Sequence, residues 1–276
     1  MKVLHSVHPD DFKSYDTALI RKRFLLDNLV NGDEVNCVYT HYDRMIIGAA
    51  QPVIKQLELE NYPELRASYF LERREIGIVN VGGDGTILVD GQNFNLRKLD
   101  CLYIGKGVKQ VHFSSDNPGT PAVFYLLSAP AHASYPTTLM THAESAKVEA
   151  GDALTANLRT INKYIHLDGI KSCQLVMGLT ILSPGSIWNT MPAHVHGRRM
   201  EAYFYFDLDK QHRVVHYMGE GNETRHIWMK NYDAVVSPPW SIHAGSGTSS
   251  YNFIWGMAGE NLDYTDMDAL TIADLQ

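Results

Sequence analysis

From Gly32 onward the chain is a succession of short apolar runs cut by Gly, Pro, Asn and Asp, and this punctuation leaves little room for anything but strands. The runs EVNCVYTHY, RMIIGAAQPV, EIGIVNV, GTILVDG, NFNLRKL, CLYIGKG and AVFYLLSA are rich in Val, Ile, Tyr and Phe. Each is too short for a packed helix and ends in turn residues, the pattern of strands in an all-β body. The texture returns in CQLVMGLTIL, EAYFYFDL, RVVHYMG, TRHIWMK, DAVVSPP and NFIWGMAG. Before it, residues 10–31 read as one helix, with Phe12, Tyr15, Leu19, Phe24 and Leu25 on one stripe and acidic residues leading basic ones. Residues 130–160 are polar and lack period-2 alternation, so they are expected to form a wrapping connector with a short helical turn. The last stretch, NLDYTDMDALTIADLQ, is acidic and is expected to close in a helix-like tail.

The two β stretches resemble each other. The first has Glu72-Arg73-Arg74-Glu75 opening IGIVNV, then Asp100 opening CLYIGKGVKQVHF. The second has Arg198-Arg199-Met200-Glu201 opening AYFYFD, then Asp233 opening AVVSPPWSIHAG. A degenerate repeat of this kind predicts two related β-barrels. The expected division is residues 1–150, a barrel with the leading helix and the connector, and residues 151–276, a second barrel.

Composition narrows the partners. The formal net charge of −7, with no run of Lys or Arg, argues against a nucleic-acid or anionic-membrane partner, since both need a basic patch. A small anionic substrate stays compatible, because a few arginines in a pocket override the global sign. The three cysteines, Cys37, Cys101 and Cys173, form no CxxC pair and point to neither a disulfide scaffold nor a thiolate metal site. The opening MKVLHSVHPDDFKSYD lacks the apolar core of a signal peptide. No stretch reaches the roughly 20 apolar residues of a membrane helix. A cytoplasmic location is the expectation.

The chemistry concentrates in Met191-Pro192-Ala193-His194-Val195-His196-Gly197-Arg198-Arg199-Met200-Glu201. Histidines two apart on a strand face the same side, so their imidazoles can converge on one ion. Imidazole with carboxylate suits zinc, iron, manganese, cobalt or nickel. Glu201 has the wrong parity for a straight strand, so a bulge or tight turn within Gly197–Met200 is required, eased by the glycine. After it, Arg199, Glu201 and Tyr203 share the inner face, while Ala202, Phe204 and Phe206 face other packing. A further ligand is expected from Pro239-Trp240-Ser241-Ile242-His243, where Pro238-Pro239 enforces a turn. His212, His216 and His226 are read as exposed or structural residues near strand ends, and Trp240 and Trp255 as packing. Gly82-Gly83-Asp84-Gly85 is read as a hairpin turn, since no helix with Lys-Ser follows.

The spacing HxH-x4-E followed by P-x3-H resembles the two motifs of the cupin superfamily. FLERREIGIVNVGGDGTILVDG, RTINKYI, WNTMPAHVHGRRMEAYFYFDL, GNETRHIWM, SPPWSIHAGSGT and FIWGMAGEN extend the likeness along nearly the whole chain. They resemble the 5-keto-4-deoxyuronate isomerase (4-deoxy-L-threo-5-hexosulose-uronate ketol-isomerase) family. The resemblance implies a bicupin of two jelly-roll barrels with short helical segments. It implies one Zn2+ per subunit, other divalent metals being possible, on His194, His196, Glu201 and His243. It implies a homo-hexamer acting in pectin and uronate breakdown on an anionic deoxy-ketouronate. Gly197 departs from the polar residue expected there. The first half carries Arg66-Ala67-Ser68-Tyr69-Phe70-Leu71 and Lys109-Gln110 where the repeat would place histidines, so a first barrel without metal is expected.

The implied reaction is an aldose–ketose shift through an enediolate, in which a metal acts as a Lewis acid. A carboxylate substrate calls for a pocket arginine. Arg199 is the first choice by its face and Arg159 the second. Tyr203 could donate to an oxygen or relay a proton, and Thr180 and Thr190 are further candidates on pocket strands. Two other readings fit the ligand set: an iron-dependent cupin oxygenase, and a non-catalytic uronate-binding protein.

Overall fold

A computed structural model describes residues 1–263 and 265–276. The chain separates into two compact units. The first comprises Met1–Leu4, Asn28–Ala146 and Tyr164–Met177; the second comprises His5–Asp27, Lys147–Lys163 and Gly178–Gln276. A single cut near residue 150 therefore does not describe the partition. Residues 5–27 group with the second unit because their apolar side chains find partners there. Phe12 packs edge-on against Phe24 at 5.6 Å and lies 5.2 Å from Trp240, ring centre to ring centre. Residues 164–177 group with the first because the buried Glu75 carboxylate accepts from the backbone N–H groups of Cys173, Gln174 and Leu175 at 2.7–2.9 Å.

The first unit holds a seven-stranded sheet and a four-stranded sheet. The large sheet runs Lys2–Leu4, Val35–Thr40, Ile46–Ala50, Phe124–Pro130, Arg74–Asn80, Cys101–Ile104 and Thr138–Met140. The small one runs Leu57–Glu58, Val111–Ser115, Gly85–Val89 and Gln92–Leu96. Alternating residues of both sheets, Ile76, Ile78, Phe124 and Leu126 on one side and Ile87, Val89 and Phe113 on the other, fuse into one buried cluster, so the sheets pack face to face. The Gly82–Gly85 stretch is the turn expected. A Cβ at Gly83 would lie 2.0 Å from the Thr120 carbonyl oxygen, which only glycine tolerates.

The second unit repeats the plan. Its seven-stranded sheet, most of whose residues lie in this unit, runs Ala146–Ala150, Arg159–Ile165, Val176–Leu182, Asn252–Gly259, Arg199–Phe206, Ala234–Ser237 and Leu25–Leu26. Its four-stranded sheet runs Trp188–Asn189, Ala244–Gly247, Val214–Glu220 and Glu223–Met229. The repeat seen in sequence is carried through to the backbone. Arg74–Asn80 and Arg199–Phe206 occupy the same place in their sheets, as do Cys101–Ile104 and Ala234–Ser237. The aspartate opening each latter strand closes the same turn: Asp100 accepts from the Arg97 N–H at 2.9 Å and Asp233 from the Lys230 N–H at 2.7 Å. The residue before each, Leu99 and Tyr232, has a positive φ of 73° and 68°.

Two expectations are corrected, and a third, the helix-like tail, is met by a single helical turn. The helix over residues 10–31 is two helices, Pro9–Phe12 and Thr17–Phe24. Asp16 is extended, and its side chain accepts from the Leu19 N–H at 2.8 Å, so it caps a new helix rather than continuing an old one. Leu25 and Leu26 then leave helical geometry to pair with Val235 and Ala234. The connector over residues 130–160 contains the strands Thr138–Met140 and Ala146–Ala150, and Arg159 opens a third. Ala146–Ala150 is an edge strand exposed on both faces over most of its length, so it needs no alternation. The tail holds a 3₁₀ turn at Ile272–Asp274 and a short strand, Asp268–Ala269, paired with His194–Val195.

Candidate metal centre

Four neighbouring strands of the second unit turn one face toward a cavity of about 390 Å³. Period-2 alternation selects the side chains: Arg159, Ile161 and Lys163 on one strand, Thr180 on the next, Phe253, Trp255 and Met257 on the third, Glu201 and Tyr203 on the fourth. Gly178, on the face of Thr180, leaves room for the Trp255 indole, which a Cβ would meet at 2.3 Å. The indole N–H donates to Thr180 Oγ1 at 3.1 Å. Thr190 and Tyr203 share a hydrogen bond of 2.9 Å between their hydroxyls.

At the cavity wall, one ligand atom from each of His194, His196, Glu201 and His243 lies within 4.8 Å of all the others. His194 Nε2 is 3.1 Å from both His196 Nε2 and His243 Nε2. Glu201 Oε2 is 2.7 Å from His243 Nε2 and 3.3 Å from His196 Nε2. The parity of Glu201 is resolved by a turn rather than a bulge: the Arg199 N–H donates to the His196 carbonyl at 3.2 Å, and a new strand begins at Arg199. Gly197 is not required for it. A Cβ there meets nothing within 4 Å, so a polar side chain would fit equally well. His243 is delivered by the proline turn, where the Ser241 N–H donates to the Pro238 carbonyl at 2.9 Å.

This donor set fits a divalent ion. Ligand bonds of about 2.1 Å in a tetrahedral site put donor atoms roughly 3.4 Å apart, close to the spacing seen. Protein hydrogen bonds alone do not satisfy the group. Glu201 Oε2 is buried without a well-aligned donor among the described residues, although two imidazole nitrogens crowd it. Burial, reinforced by His243, pushes the His194 pKa down to about 3, so its ring is neutral and its lone pair available. Burial pushes the Glu201 carboxyl up, but His243 and His196 beside it outweigh that and leave it ionised. Burial, with Glu201 nearby, lifts Tyr203 well above the ordinary phenol range, so its hydroxyl keeps its proton.

Arg199 does not reach the cavity as a free cation. It is almost fully buried, and its Nη2 lies 2.5 Å from Asp266 Oδ1 and 3.3 Å from His196 Nδ1. Its inner-face parity holds, but Asp266 of the tail takes its guanidinium. Arg159 does line the cavity, held by a 2.8 Å bond from Nη1 to the Asn157 carbonyl. His216 is not near a strand end: it is buried within Val214–Glu220, with Nδ1 2.8 Å from the Tyr205 hydroxyl. His226 is exposed, and Trp255 is both packing and cavity wall. Sequence reasoning missed Lys163 and Asp266. The alternation of RTINKYI, counted on from Arg159, carried a signal for Lys163; nothing local marks Asp266.

Paired, mainly antiparallel sheets with a three-histidine, one-carboxylate cluster on an inner face define a cupin-class β protein with a candidate metal centre. Within that class, the chain belongs to the KduI/IolB family, which matches residues 26–272. It is 56% identical over 268 residues to a 4-deoxy-L-threo-5-hexosulose-uronate ketol-isomerase of Formosa agariphila, covering 97% of this chain and 96% of that protein. It is 51% identical to one of the same name from Caldicellulosiruptor bescii, over the whole of both chains. Among solved structures, an IolB-like protein from Salmonella typhimurium superposes with a TM-score of 0.71 at 13% identity, covering 90% of this chain and 96% of that one. An oxalate decarboxylase from Lactobacillus farciminis does so with a TM-score of 0.56 at 10% identity, covering 82% and 79%. These two likenesses establish the fold alone.

Proposed function

We propose that this chain is a metal-dependent ketol-isomerase that converts 4-deoxy-L-threo-5-hexosulose uronate to 3-deoxy-D-glycero-2,5-hexodiulosonate. The observation that carries the reading is full-length identity of 51–56% to proteins of that name, in a chain whose cavity joins the His194/His196/Glu201/His243 cluster to two cations. The relatives' names give no support to the oxygenase or the non-catalytic reading.

Arg159 binds the substrate carboxylate, with Lys163 two places on along the same face adding positive charge. The Phe253–Met257 face and the Trp255 indole, steadied by Thr180, shield the reacting carbons from water. The reaction moves two protons: one leaves the hydroxyl-bearing carbon beside the aldehyde as one returns to the former aldehyde carbon, and the proton of that hydroxyl passes to the former aldehyde oxygen. Tyr203, kept protonated and aligned by Thr190, donates a hydrogen bond to the substrate oxygen that becomes negative. A divalent ion held by His194, His196, Glu201 and His243 would supply Lewis-acid stabilisation of that charge. Zinc is our assignment, supported by the three imidazoles and one carboxylate.

The same resemblance supports a homo-hexamer working in the cytoplasm in pectin and uronate breakdown. Among the described residues no helix is long and apolar enough to cross a membrane. The test is to incubate zinc-loaded protein with the ketouronate in D2O and follow the aldehyde proton by NMR. Loss of that signal with one solvent deuterium at the new CH2OH carbon is expected; an aldehyde signal that persists would sink the assignment.

A further inference from the structure

Of the four side chains in the cluster, His196 has a carboxylate behind it. Asp266, from the segment that follows the last long strand, lies 3.6 Å from His196 Nδ1 through Oδ1. The same oxygen is 2.5 Å from Arg199 Nη2, and Nη2 is itself 3.3 Å from His196 Nδ1. Two charged groups of opposite sign therefore meet at one ring nitrogen.

Only one arrangement of protons is consistent with a metal on the other nitrogen. A ligating Nε2 gives its lone pair to the ion, so Nδ1 carries the hydrogen and must donate. Arg199 has donors only and cannot accept from it. Asp266 can, and its Oδ2 is buried with no hydrogen-bond partner among the described residues, so it can turn toward the ring without losing the arginine. His243 Nδ1, by contrast, is buried with no partner among the described residues.

We propose that Asp266 is a positioning residue of the metal centre: it accepts from His196 Nδ1–H, fixing the tautomer and ring angle that aim Nε2 at the ion, while neutralising buried Arg199. This rests on the reading of the cluster as a metal site. The pairing of Asp268–Ala269 with His194–Val195 anchors the segment that carries Asp266 beside another ligand. Arg199, fully desolvated, in turn holds the carboxylate in place.

The test uses the full-length protein and reads metal binding, not turnover. Zinc affinity is measured by chelator competition, and the cobalt-substituted protein by its visible absorption. Asp266→Ala is expected to weaken zinc binding by about 10–100-fold and to shift the cobalt bands. Asp266→Asn, whose amide oxygen can still accept, should fall between it and the parent. Because Asp266→Ala strands a buried cation beside the ion, the double variant Asp266→Ala/Arg199→Met decides the matter. If Asp266 positions His196, the double variant stays weak with altered cobalt bands. Parental affinity and spectrum in the double variant would overturn the proposal, leaving Asp266 a mere counter-ion to Arg199. Should the parent protein bind zinc yet leave the ketouronate untouched, the isomerase reading falls while this one stands on the affinities.

Discussion

A side chain's direction is legible in a sequence when strand parity or a proline decides it, and not when a distant segment does. His194, His196 and Glu201 were legible because two-residue alternation plus one turn sends all three to one face; His243 was legible because Pro238-Pro239 sets its turn. Arg199 shows the limit: its parity is right, yet Asp266 claims its guanidinium. Nothing in NLDYTDMDALTIADLQ distinguishes Asp266 from the other carboxylates there, since tertiary approach alone selects it. Of the two cations that line the cavity, Arg159 and Lys163, Arg159 is the one assigned to the substrate carboxylate, which yields a sharp expectation. Arg159→Met should raise KM for the ketouronate by about 10–100-fold, the loss of a charge-assisted pair, while kcat moves less. Steady-state kinetics check it, with circular dichroism to show that the variant is folded. An unchanged KM removes Arg159 from substrate binding.

At the scale of elements, the strands with buried faces were legible and the exceptions share a cause. Ala146–Ala150 lies at a sheet edge and buries neither face, so no hydrophobic period marks it. Leu25–Leu26 looked helical because its apolar stripe continues that of the helix, but a free edge beside Ala234–Ser237 offers backbone partners. The turn opening that last strand carries a pH signature. Burial raises the Asp233 pKa to about 6, with Asp27 adding to it and Lys230 and Arg21 opposing. The folded state thus holds its proton more tightly than the unfolded chain, which ionises near the ordinary 3.8. Below about pH 4 both states are protonated and nothing is lost; between about pH 4 and 6 only the unfolded state ionises freely, so stability falls as pH rises and levels off above. Asp233→Asn keeps an acceptor for the Lys230 N–H and removes this slope. Denaturant titrations at pH 4 and pH 6.5 should show the variant gaining on the parent at the higher pH; an equal difference at both would refute the account.

On the scale of the molecule, the repeat announced two units of like design, and the paired seven- and four-stranded sheets bear this out. What the sequence concealed was the interleaving of segments, because the contacts that decide it lie far apart in the chain: Phe12 with Trp240, Glu75 with Gln174. A site assembled this way ties ion binding to folding. Zinc at 100 times its Kd should stabilise the protein by about 2.7 kcal/mol, and more as its concentration rises. The thermal midpoint of chelator-stripped protein should therefore climb with added zinc. A midpoint indifferent to zinc would show that the ion does not prefer the native fold.

The Leu25–Leu26 pairing has a consequence for the order of events on the ribosome. These residues emerge early, but their strand partners, Val235 and Ala234, are made only after most of the chain. The early segment must therefore wait, unpaired, while the intervening strands are synthesised, and closing so long a loop is slow. Until then the early strand lacks its partner, and the nascent chain is most open to sticking to its neighbours.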